Sequence, residues 1–146
     1  MNWDIRPGIG VGVLKFGMSR NQVRKTLNIP FSAFAKAEKV ETDAFLNYSV
    51  FAYYTADGTL DAVEFSRRAH PILYGVNLFD LDIAGARAFC KAAGGLVLDD
   101  GEGPISQRLC TGFWSSAAHD DPKDPVESVI VFQESYFEKY RALFAS

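Results

Sequence analysis

Sulfur and imidazole are scarce in this chain. Its 146 residues include two cysteines, two methionines and two histidines. Two cysteines cannot build a disulfide framework, although they leave a single bridge between Cys90 and Cys110 open. Cys90 sits in Ala86-Arg87-Ala88-Phe89-Cys90 and reads as a small, buried, reduced hydrophobe on a helix. No apolar run approaches the roughly 20 residues of a membrane span. The opening Met1-Asn2-Trp3-Asp4 has neither a basic nor an apolar leader, so no secretory signal and a cytoplasmic setting are expected. Basic residues are not in excess: 15 face 18 acidic ones, for a net charge of −3. An acidic body repels phosphate, which argues against nucleic-acid binding.

What is present favours a well-filled core. Hydrophobic residues make up 48%, charged residues 23% and aromatics 14%. Area scaling gives a folded surface of roughly 7,400 Å² and burial of about two-thirds of the extended chain, which suffices without metal or disulfide staples. A single domain spanning residues 1–146 is expected. The charge is uneven. Residues 1–70 carry nine basic and seven acidic side chains, and residues 71–146 carry six and eleven. Asp99, Asp100, Glu102, Asp120, Asp121, Asp124 and Glu127 fall between 99 and 127 against only Arg108 and Lys123. Such a run is either a solvated loop region or an attractor for a basic protein.

The chain reads as two similar halves. Val11–Phe16 is strand-like, and Gly17-Met18 turns the chain. Ser19 with Gln22 three residues later matches a capping box. Met18, Val23 and Leu27 then form an apolar stripe, with Arg20, Arg24 and Lys25 on the wet face, and Asn28 and Pro30 end the helix. Phe45–Tyr48 and Val50–Tyr54 read as strands, and Ala56-Asp57-Gly58-Thr59 as a hairpin turn. Leu60–Phe65 alternates apolar and polar residues. In the second half Ile72–Phe79 is strand-like, and Asp82 can cap a helix running to Ala93 before Gly94-Gly95. Leu96–Leu98, Thr111–Trp114 and Glu127–Phe132 follow as strands. A last helix from Glu134 to Phe144 would bury Tyr136, Phe137, Tyr140 and Phe144. The expectation is an α+β fold of two tandem modules, about 1–68 and 71–146. Each would pack one helix on an antiparallel sheet, and both would form one continuous fold.

The string Gly12-Val13-Leu14-Lys15-Phe16-Gly17-Met18-Ser19-Arg20-Asn21-Gln22-Val23, with Leu27 and Pro30, resembles the opening of the small module of bacterial outer-membrane assembly lipoproteins. It is also similar to uncharacterised soluble bacterial proteins that carry two such modules. The tandem arrangement resembles the β-lactamase inhibitory protein, whose two helix-plus-sheet repeats present a concave sheet to a partner. Several toxin-immunity proteins use comparable scaffolds. The first-module likeness covers about 50 residues, and the second half matches through pattern alone. Asn28 stands where the family often has Gly. No lipidated cysteine follows a leader here, so an outer-membrane role is not expected. The resemblance implies binding of another protein.

Motifs for chemistry fail their context tests. Gly8, Gly10 and Gly12 form G-x-G-x-G and precede a strand, which is not the dinucleotide arrangement. His119-Asp120-Asp121 lacks metal-ligand spacing, and Asp99-Asp100-Gly101-Glu102-Gly103 lacks the calcium-loop register. Cys90 or Cys110 with His70 or His119 carries no nucleophile signature, and Ser115-Ser116 has no nucleophile elbow. No cofactor and no enzymatic activity are expected.

Strand aromatics are the remaining signal: Phe45, Tyr48, Phe51, Tyr53, Tyr54, Phe113 and Trp114. Neighbours on a strand point to opposite faces, so one of each pair enters the core and the other faces away. An aromatic face left uncovered marks an interface, unless the last helix or a homodimer mate covers it. The expected partner-binding set is Tyr54 and Trp114 with the acidic residues Asp99, Asp100, Asp120 and Asp121. The expected function is an immunity or inhibitor protein that occludes a toxin or enzyme, with a basic toxin domain as the natural partner. The alternative is a small-ligand or enzymatic domain using a cleft between the modules.

Overall fold

The computed structural model describes residues 2–36, 39–116 and 121–145. In chain order the elements are β1 (Asn2–Arg6), β2 (Gly10–Val11), β3 (Leu14–Lys15), α1 (Arg20–Leu27), β4 (Ser32–Lys36), β5 (Lys39–Phe45), β6 (Val50–Tyr54) and β7 (Leu60–Ser66). They continue with β8 (His70–Leu73), β9 (Val76–Asn77), α2 (Ile83–Ala93), β10 (Val97–Asp99), β11 (Pro104–Ser106), β12 (Thr111–Trp114), β13 (Ser128–Phe132) and α3 (Phe137–Ala145). The fold is mixed α+β. An antiparallel sheet runs in the order β10-β11-β12-β13-β7-β6-β5-β4, and a smaller sheet runs β3-β2-β1-β8-β9. In the smaller sheet β1 pairs with β8 in parallel, so antiparallel pairing is not universal.

Local chemistry explains both early helices. Ser19 Oγ accepts from the Gln22 amide (3.2 Å), and Gln22 Oε1 accepts from the Ser19 amide (2.9 Å). Asn28 closes α1 with φ 49°. Asp82 Oδ1 accepts from the Gly85 amide (2.6 Å) at the start of α2, and Gly94 closes that helix. Each device satisfies backbone groups that a helix end leaves without partners.

Several expected strands break differently. Val11–Phe16 is a hairpin of two short strands, turned at Gly12 with φ 56°, where a Cβ would stand 2.9 Å from the Trp3 ring. Ile72–Phe79 is likewise a hairpin, with Tyr74 and Gly75 both at positive φ. Beyond Phe45 the chain makes a 3₁₀ turn over Leu46–Tyr48. In each case a left-handed residue or tight turn reverses an apolar run that periodicity alone reads as continuous.

The large sheet is covered unequally. Alternate residues sort to its two faces. Val63, Phe65, Val129 and Val131 join Trp3, Leu14, Val23, Leu73, Ile83, Ala86 and Cys90 in the main core, between the sheet and α1, α2 and the small sheet. Ala62 and Phe132, on the opposite face, pack with Phe137 of α3 and with Cys110. Both cysteines are free and buried. The accessible surface is 7782 Å², close to the value that chain mass predicts. No described helix is long and apolar enough to cross a membrane.

Candidate functional site

Helix α3 covers only part of the outer face, and a groove of about 590 Å³ opens beside it. Its floor follows the ladder. Gly112 pairs with Ile130, and Ile130 pairs with Glu64, so these three share the outer face with Ile105. Gly112 keeps the floor open: a Cβ there would lie 3.1 Å from Ile130 and 3.4 Å from Ile105. Trp114 and Glu102 line the groove toward the β10–β11 turn, while Tyr140, Leu143 and Phe144 line it from α3.

The polar groups are held in place. Trp114 is 41% exposed, and its indole Nε1 donates to Glu102 Oε2 (2.7 Å). Glu64 accepts from the Tyr53 hydroxyl and from Ser128 Oγ (2.6 Å). Burial and the nearby Glu64 charge push the Tyr53 hydroxyl well above its ordinary range. Burial, together with Tyr136 and Glu64, does the same to Tyr140. The turn that presents Glu102 is braced from several sides. Gly101 N donates to Asp99 Oδ1 (2.9 Å), and Glu102 N donates to Asp100 Oδ1 (3.0 Å). Arg87 donates to Asp99 Oδ2 (2.7 Å) and to the Gly101 carbonyl (3.2 Å). Gly103 lies against β12 so closely that a Cβ would fall 2.1 Å from the Phe113 carbonyl oxygen.

Of the residues expected to form one surface, Trp114 and Asp100 line this groove, and Asp99 pairs with Arg87 beside it. Tyr54 does not belong. It is only 6% exposed, on the main-core face, and its hydroxyl donates to Asp43 Oδ2 (2.8 Å). Alternation separated Tyr53 from Tyr54, but the buried member is Tyr54, because Asp43 supplies its hydroxyl with an acceptor inside the core. Asp121 is exposed, accepts from the Lys123 amide (2.9 Å) and does not line the groove. Asp120, like His119, lies outside the described residues.

Sequence reasoning missed Glu64 and Glu102 as groove residues and read Tyr140 and Phe144 as core. Glu64 had a readable signal: it is the polar member facing away from the core in β7. Tyr140 is half-buried and packs on the Phe132 ring, whereas Phe144 reaches solvent at the groove. Other polar groups serve structure. Cys110 Sγ donates to the Gln107 carbonyl (3.3 Å). Ser115 Oγ donates to Asp124 (2.6 Å), tying β12 to the loop ahead of β13. Among the described residues no group of three or more His, Cys, Asp or Glu could hold a metal ion.

No protein-family model, curated protein or solved structure matches the chain.

Proposed function

We propose that this protein binds another protein, occluding a basic toxin or enzyme surface with the outer face of its large sheet. One observation carries the reading. The groove beside α3 combines exposed Trp114 and Phe144 with the carboxylates of Glu64, Asp100 and Glu102, and no lysine or arginine lines it. Aromatic side chains are frequent binding hot spots, and unopposed carboxylates steer a basic partner. None of the three carboxylates takes part in an ion pair among the described residues. Their negative field is therefore open to a partner.

The tandem-module reading belongs to this proposal. Strands β4–β7 form one meander and β10–β13 another, and they meet at the β7–β13 seam. A capped helix precedes each meander. That order supports a duplicated scaffold presenting one broad sheet for a partner to rest on.

Parallel affinity purifications of the wild type and Trp114→Ala from the native cells test the function. A protein retained only by the wild type is purified, the complex is rebuilt from pure components, and the partner's own activity is assayed. Stoichiometric inhibition that is lost with Trp114→Ala supports the proposal. A complex indifferent to Trp114, or one that leaves the partner fully active, overturns it.

A further inference from the structure

We infer that the groove is the seat of an arginine side chain on the partner, with its guanidinium stacked on Trp114 beside Glu102 and its stem lying over Gly112 toward Glu64. This deepens the binding role proposed above and rests on it.

Three features select a cation of this shape. The first is an aromatic face fixed in orientation. The Trp114 indole is tethered through Nε1 to Glu102, so the ring is positioned before anything binds. A guanidinium stacks on an indole face, and a carboxylate at the ring edge accepts its N–H groups. The second is the floor. Gly112 removes the one side chain that would fill it, which leaves Ile105 and Ile130 as an aliphatic strip. The methylene stem of arginine covers such a strip while its head stays polar. The third is charge. Glu64, Asp100 and Glu102 line the groove without a lysine or arginine among them.

The site is also preorganised. Arg87 is committed to Asp99 and to the Gly101 carbonyl, so it braces the acidic turn and is not the cation that fills the groove. The Ser115 amide donates to the Glu102 carbonyl (2.9 Å), locking the turn to the strand that carries Trp114. A turn ordered in advance loses little freedom on binding. Lysine fits less well. Its ammonium is compact and strongly hydrated, without the planar fork that stacks and bonds together.

The probe is a blocked peptide, acetyl-Gly-Arg-Gly-Arg-Gly-amide, titrated at low ionic strength by calorimetry and by tryptophan fluorescence. Its citrulline and lysine counterparts and free methylguanidinium serve as the other arms. The arginine peptide should bind saturably, at least about tenfold tighter than the citrulline peptide and severalfold tighter than the lysine peptide. Glu102→Gln and Glu64→Gln should each weaken the arginine peptide about three- to tenfold and leave the citrulline peptide unchanged. Trp114→Phe should lose most of the fluorescence response while keeping cooperative urea unfolding. Equal binding of the arginine and citrulline peptides, or unchanged affinity in both glutamine variants, overturns the inference. Methylguanidinium binding as tightly as the peptide would point to a small organic cation and overturn the partner-borne arginine. If the peptide fails but the Trp114-dependent inhibitory complex forms, the arginine seat is wrong and the binding role stands. If that complex fails as well, both fall.

Discussion

Replacing Arg24 with methionine should destabilise this protein more than any other single surface charge deletion on α1. Arg24 Nε and Nη2 donate to the two oxygens of Asp43, both at 2.8 Å. The Asp43 side chain is 0% exposed, whereas that of Arg24 is 24% exposed. The Arg24 guanidinium also lies 4.3 Å from the Phe31 ring centre. Methionine keeps the aliphatic stem and removes the charge. Asp43 then retains only the Tyr54 hydroxyl as a described side-chain donor. Breaking a buried pair on one side costs about 3–5 kcal/mol, because a desolvated charge is left behind. Partial access of water at the Arg24 end lowers this to about 3 kcal/mol. For a chain of this size, that corresponds to roughly 10 °C in Tm.

The control is the double variant Arg24→Met with Asp43→Asn, which removes the charge and keeps an acceptor for the Tyr54 hydroxyl. Removing both charges removes the desolvation penalty, so the double variant should be more stable than Arg24→Met alone by about 1 kcal/mol or more. Arg24→Lys keeps the charge, loses the bidentate geometry and should cost about half as much as methionine. Urea unfolding followed by tryptophan emission measures all three, since Trp3 is 1% exposed in the main core and reports its opening. A cost below about 1 kcal/mol for Arg24→Met, or a double variant weaker than the single, would refute the reasoning.

Asp61 is buried and accepts from Gln133 Nε2 (2.6 Å) and Lys139 Nζ (2.8 Å), so Asp61→Ala should cost about 1–3 kcal/mol and raise amide exchange selectively along α3; uniform exchange would contradict this anchoring. Burial, reinforced by the Asp99 charge, pushes the Cys90 thiol up to about 12, so the unfolded chain loses this proton first and stability falls as pH rises from about 9 toward 12. Urea midpoints at pH 8 and 10 should therefore decline more steeply for the wild type than for Cys90→Ala, and a parallel decline would count against it. Although burial opposes it, the Arg87 guanidinium and the Gly101 amide hold the Asp99 carboxyl below its usual range. That contribution is present above the unfolded carboxyl value of about 3.9 and is lost as pH falls through the lower folded value. The advantage of the wild type over Arg87→Leu should thus shrink between pH 6 and pH 3 in denaturant titrations, and an advantage that grows would exclude the pair as its source.

Local chemistry was legible in the sequence. Ser19 with Gln22, Asn28, Asp82 and Gly94 mark helix ends because each acts on backbone groups within four residues of itself. Strands β6, β7, β12 and β13 declare themselves through apolar and β-branched residues, and Cys90 through its helical, apolar neighbourhood. What tertiary structure decided lies at longer range. Arg24 reads as a wet-face residue, yet its partner Asp43 arrives from β5, 19 residues away. Strand β1 is set by pairing with β8, a segment that begins nearly 70 residues later. Period-2 alternation shows that Tyr53 and Tyr54 oppose each other, as do Phe113 and Trp114, but it does not say which face a helix covers. Helices α1 and α2 and the small sheet make that choice by covering the face that carries Tyr54 and Phe113, while α3 docks Phe137 over Phe132 on the other face and leaves Trp114 exposed. The groove joins Glu64 of β7, Glu102 of the β10–β11 turn, Trp114 of β12 and Tyr140 of α3. No local pattern couples those positions, because only the order of strands in the sheet brings them side by side.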